Sequence, residues 1–198
     1  MKNVLSLAIL LAVSLLAKSQ SEQFNFSDAF YFVREIKTAG LSGRNFRISI
    51  AVKEAPADSL SKPRIYAVQV RKGKEDIIGH TMVYASIKQG DWTTYTIEST
   101  IDPEATRIWF FTAVNGNGHF HFDRLRCAIT DATGEFQPVD LPNSSFEDKK
   151  ILNGFYKSAL DASTTKIQLS MQSLDGKQSL EIATTNQKPG ALQSTALH

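Results

Sequence analysis

Apolar and polar residues alternate with a period of two along much of the chain. In 46–54, Phe46, Ile48, Ile50 and Val52 fall on one side and Arg47, Ser49, Ala51 and Lys53 on the other. That is the pattern of a strand with one buried face. Residues 64–73 repeat it, with Ile65, Ala67 and Gln69 opposite Tyr66, Val68 and Val70. The runs 81–87, 91–100, 106–114 and 119–130 continue the series. Turn-forming clusters at 40–43, 55–63, 72–74, 89–91, 102–104 and 115–118 separate them. Strands at this spacing, with little helical periodicity between them, predict an all-β sandwich of antiparallel strands. The clearest predicted hairpin joins 106–114 to 119–130 through Asn115-Gly116-Asn117-Gly118, since Asn and Gly tolerate the positive φ of tight turns. Residues 131–142 are polar, carry Pro138 and Pro142, and read as a linker. Beyond them, 165–173 and 177–185 alternate around Asp175-Gly176, a predicted hairpin turn, and 187–198 read as a frayed, disordered tail.

The first residues change the picture of where this chain works. Lys2 precedes an apolar run over 4–17, about fourteen residues, which is short for a membrane span and suits a secretory signal. Ala17 and Ser19 supply small residues for cleavage before Gln20, so 1–19 is expected to be removed. A secreted or periplasmic protein without a membrane segment is the expectation. The mature length of about 179 residues suits one domain, or one domain and part of another. The single Cys127 rules out an internal disulfide, and its setting in LRCAIT predicts a small buried residue. With 22 basic and 20 acidic residues, charge gives no argument for nucleic acid.

Several motifs, taken in order, carry a resemblance. Asp91-Trp92-x-x-Tyr95-x-Ile97, Asp102-Pro103-x-Ala105, Ile108-x-Phe110, and Gly116-x-Gly118 leading to Phe122-Asp123 resemble the second half of a galactose-binding-like jelly roll. Gly43-Arg44-Asn45-Phe46-Arg47-Ile48-Ser49 resembles a strand of the same modules. Asn143-x-x-Phe146-Glu147, Gly154-Phe155-Tyr156 and Asp175-Gly176-Lys177-x-Ser179-Leu180-x-Ile182 are similar to their opening strands, with Phe155 where a tryptophan is usual. The resemblance implies a jelly-roll β-sandwich of carbohydrate-binding-module type over 22–130, with 143–186 either completing it or starting a second. Such modules stand at the front of secreted proteins that resemble erythromycin esterases or serine peptidases. In these modules an aspartate and a glutamate help to hold structural calcium; carried over, these are Asp123 and Glu147.

Candidate chemistry is sparse. The chain has neither a Gly-x-Ser-x-Gly elbow nor His-Glu-x-x-His, and its acids sit mainly in turns, so no catalysis is expected. His119, His121 and Asp123 share one side of a strand and could meet a metal or a ligand; the plainer reading has Phe120 and Phe122 in the core and the histidines facing water. If Ile108 and Phe110 point inward, Trp109 and Phe111 face out, and Tyr66 and Tyr84 on neighbouring strands could join them as a surface for stacking sugars. Residues 150–185 could instead cover these rings. Trp92 is assigned to the core or a strand edge. The expected ligand-binding set is Tyr66, Tyr84, Trp109, Phe111, His119 and His121. Two functions follow: a non-catalytic glycan-binding module, or an accessory domain that packs on a partner domain of a larger hydrolase.

Overall fold

The computed structural model describes residues 30–71, 77–83 and 85–187, all within one compact unit, Phe26–Gly190. The expected leader, the tail beyond Gln187 and the candidate Tyr84 lie outside the described residues.

The described residues form two antiparallel sheets. One contains β1 (Phe30–Lys37), β3 (Lys62–Arg71), β4 (Ile77–Met82), β7 (Ala105–Asn115) and β10 (Tyr156–Lys157), in the order β10-β1-β7-β3-β4. The other contains β2 (Asn45–Pro56), β5 (Ala85–Gln89), β6 (Trp92–Thr100), β8 (Gly118–Thr130), β11 (Thr165–Ser170) and β12 (Ser179–Thr184). Its order is β11-β12-β8-β2-β6-β5, with β9 (Phe136–Val139) also on β8. The alternation read from the sequence sets the phase of the core. Phe46, Ile48, Ile50 and Val52 of β2, Ile108 and Phe110 of β7, and Phe120 and Phe122 of β8 are all buried in one cluster. Each such side chain contributes about 1.5–3 kcal/mol by leaving water.

The connection between β7 and β8 corrects the predicted hairpin. β7 pairs with β1 and β3, whereas β8 pairs with β2, β12 and β9. Residues 115–118 therefore carry the chain from one sheet to the other. Glycine is needed for close approach as well as for turning. Gly118 has φ 138°, and a Cβ there would lie 2.6 Å from the Ala55 carbonyl oxygen and 2.8 Å from Pro56 Cα. The Asn117 amide donates to Ser61 Oγ at 2.8 Å, which ties the crossing to the start of β3. The predicted strand over 81–87 is likewise divided: β4 ends in the first sheet and β5 begins in the second.

Residues after Leu141 join these same sheets. β10 pairs with β1 (Val33 opposite Tyr156), and β12 pairs with β8 (Leu180 opposite Phe122, Ile182 opposite Phe120). Phe146, Leu152, Leu180 and Ile182 enter the common core. The Phe146 ring stacks on Phe155 at 5.5 Å and meets the edge of Phe32 at 6.2 Å. Arg34 from β1 donates to the Gly154 carbonyl at 2.5 Å and lies over the Phe155 ring. The expected linker differs too. Asp131 accepts bonds from the amides of Thr133 and Glu135 and the side chains of Thr133 and Gln137, which hold its carboxyl down at about 2. That turn leads into β9, which pairs with β8. The predicted Asp175-Gly176 turn does join two paired strands, but the register of Ser170 opposite Ser179 makes the loop 171–178 longer than a two-residue turn.

Candidate functional site

The structure separates the sequence-named residues: Tyr66, Trp109 and Phe111 lie on the five-stranded sheet and His119 and His121 on the seven-stranded one. On the five-stranded sheet, the register places Val33, Phe111 and Tyr66 abreast, and Glu35, Trp109 and Val68 abreast. Tyr66 is 3 % exposed, and Val33, Val68, Val70 and Ala113 on that side are buried too. Trp109 donates its Nε1–H to Glu35 at 3.2 Å, and the Arg107 guanidinium sits 5.5 Å from its ring. Phe111 meets Trp109 edge-on at 6.3 Å and Tyr31 at 5.6 Å. These rings pack against one another and do not present a flat open platform. The strands within 150–185 extend the two sheets at the edges.

The outer face of the seven-stranded sheet is polar and continuous. Gln168, Glu181, His121, Lys53 and Trp92 stand abreast on β11, β12, β8, β2 and β6, each opposite the next. Strand alternation places the middle of the row: Glu181 is flanked in sequence by the buried Leu180 and Ile182, and His121 by the buried Phe120 and Phe122. Glu181 accepts from Gln168 Nε2 at 2.7 Å and bonds His119 Nδ1 at 2.9 Å. Burial alone would raise the Glu181 carboxyl, but those two bonds and the neighbouring imidazoles hold it below its ordinary value. His121 is 4 % exposed, and its Nδ1 has no hydrogen-bond partner among the described residues. Burial lowers its pKa, helped by Lys53 and His119 and opposed by Glu181, so the ring is favoured neutral. Lys53 pairs with Asp91 at 3.0 Å. Trp92, assigned to core or edge from sequence, is buried at the end of the row.

Below the row, β8 carries a bulge. Ser49 pairs with Arg126 and Ala51 with Asp123, so Arg124 and Leu125 together face Ile50. Arg124 takes φ 50°, and its Nη2 reaches Thr94 Oγ1 across β2 at 3.4 Å. A groove of about 670 Å³ continues along the face, lined by Arg47, Ser49, Arg126, Pro138 and Asp140, with the buried Cys127 in its wall. Burial pushes the Cys127 thiol up to about 12, which leaves it a packing residue.

Asp123 and Glu147, the pair that the resemblance assigns to calcium, grip the loop 171–178. Asp123 accepts the amides of Arg124, Leu174 and Asp175 at 2.6, 2.7 and 2.9 Å. Glu147 accepts those of Lys177 and Gln178 at 2.8 and 3.1 Å. Burial raises the Asp123 carboxyl above its ordinary value against the lowering effect of the three amides. Among the described residues, no three His, Cys, Asp or Glu side chains gather as a metal site.

Sequence reasoning found His119 and His121 but missed Glu181, Gln168, Lys53 and Arg124. Alternation puts Lys53 and Glu181 on outward positions; only the strand order brings them beside the histidines. Comparison with protein-family models, with curated proteins and with solved structures finds no match for this chain.

Proposed function

We propose that the protein is a secreted, non-catalytic carbohydrate-binding module of the jelly-roll, galactose-binding-like kind, and that it holds a neutral glycan on the outer face of the seven-stranded sheet. The observation that carries this reading is the in-register row Gln168–Glu181–His121–Lys53–Trp92, which contains a buried imidazole nitrogen without a partner among the described residues. A sugar presents a rigid array of hydroxyls, and each hydroxyl both donates and accepts. A sheet face with carboxylate, amide, imidazole and ammonium groups in fixed sequence matches such an array. Lysine and arginine charges on the face are paired with carboxylates: Lys53 with Asp91, Arg47 with Glu98 and Arg126 with Asp175. That balance favours an uncharged ligand over an acidic one. The order of motifs and the N-terminal apolar run support the module class and export.

The test is a glycan array with the chain from Gln20, followed by titration of the best ligand. Lys53→Gln and Gln168→Ala should each weaken binding about tenfold, the loss of one good hydrogen bond to a charged or polar partner. Trp109→Ala should leave it unchanged. Affinity for a neutral ligand should move little between low and high salt, since salt screens interactions between charges, over a Debye length of about 10 Å at 0.1 M, and an uncharged ligand brings no charge. Loss of binding in Trp109→Ala alone would move the site to the aromatic face, and a blank array would remove the binding reading.

The accessory-domain reading has one observation in its favour. Ile77, Met82, Val83 and Ile87 are exposed along or between the adjoining edge strands β4 and β5, with Ile87 66 % exposed. Ile87→Lys would then abolish association with the partner domain and spare any glycan binding.

A further inference from the structure

We infer that Asp123 and Glu147 form an amide clamp in place of a calcium site, so that the loop 171–178 is closed by the protein's own backbone and the fold is independent of calcium. Calcium takes about six to eight oxygen ligands. The groups aimed at these two carboxylates are N–H donors, whose positive ends repel a cation. Asp123 Oδ1 is taken by the Arg124 amide and Oδ2 by the amides of Leu174 and Asp175. Glu147 Oε1 is taken by the amides of Lys177 and Gln178.

The surroundings are built for the same purpose. Gly176 has φ 77°, and a side chain there would run into the Glu147 carboxylate, so the loop closes tightly around that group. Gln178 Nε2 donates to the Phe146 carbonyl at 3.2 Å, which turns away an oxygen that a cation could use. Ser179 Oγ donates to the Gln172 carbonyl at 2.6 Å and Ser173 Oγ to that of Gly176 at 3.3 Å, which occupies two more. Arg126 Nη2 lies 3.7 Å from the Asp175 carboxylate, bringing a fixed positive charge to the loop. Three of the four carboxylate oxygens, and the carbonyls of Phe146, Gln172 and Gly176, are thus engaged by donors.

The test is site-resolved hydrogen exchange on the full chain, in calcium and in chelator. The amides of Leu174, Asp175, Lys177 and Gln178 should be protected equally in both. Asp123→Ala should release the first two, and Glu147→Ala the last two, each by about tenfold or more, the loss expected for one net hydrogen bond. Glu147→Ala keeps the test open if Asp123→Ala does not fold, because Glu147 makes only two of the five bonds. Protection of these amides that appears only with calcium, or a melting temperature of the native chain that rises with calcium, would overturn the inference.

Discussion

Truncation after Val139 should abolish cooperative folding. The cut removes β10, β11 and β12, and with them five buried side chains: Leu141, Phe146, Leu152, Leu180 and Ile182. At about 1.5–3 kcal/mol each, their burial is worth roughly 7–15 kcal/mol. A domain of this size has about 5–15 kcal/mol in all. The loss also strips the cover from Phe32, whose ring packs on Phe146 and Phe155, and leaves the β8 backbone of 118–122 without a partner on one side. The assay is guanidinium unfolding of the chain from Gln20, with and without the cut, followed by near-ultraviolet circular dichroism and by tryptophan fluorescence. The intact chain should give one sigmoid by both probes. The truncated chain should give a broad, early drift. A sharp transition for the truncated chain, within about 2 kcal/mol of the intact one, would refute the reasoning and make 143–186 dispensable.

Two glycines offer a contrast between strain and collision. Gly40→Ala meets nothing within 4 Å and suffers only its φ of 83°, so it should cost about 1 kcal/mol, whereas Gly118→Ala drives a Cβ into the β2 backbone and should cost about 3 kcal/mol or more in the same unfolding assay. Glu181→Gln tests the pH behaviour of the polar row. The Glu181 carboxyl lies below its ordinary 4.5 in the folded protein, so its contribution is fully present above that value and is lost as pH falls through the folded pKa. The stability gap between native chain and variant should therefore close as pH falls below about 4.5; a gap that stays unchanged down to about pH 3 contradicts the bonds to His119 and Gln168.

Strand identity and phase were legible where one face of a strand is apolar. β2 and β8 follow that rule, and Phe46, Ile48, Ile50, Val52, Phe120 and Phe122 are inward as alternation names them. β1 was not, because Phe30, Tyr31, Phe32 and Val33 are apolar in succession and show no period. β9 was hidden by Pro138, which sits opposite Ala128 in a polar stretch. The β7–β8 connection was misread because Asn-Gly sequences specify how a chain bends and say nothing of which sheet receives it. For the site, each outward residue of the polar row is visible singly, but Glu181 and His121 are 60 positions apart in sequence and meet only through β12–β8 pairing. The roles of Asp123 and Glu147 as amide acceptors depend on a loop whose length a two-residue turn motif understates.

The pairing of β1 with β10 has a consequence in time. The Tyr31 amide donates to Ser158 Oγ across 127 positions, and Val33 waits for Tyr156. A chain emerging from the ribosome therefore presents its first strand long before the residues that flank it exist. Folding of such a topology is slow, because distant segments must meet before the gain is realised. Until then β1 and β8 are open edges with aromatic faces, available to other chains. In refolding at high concentration, that delay sends material to aggregates.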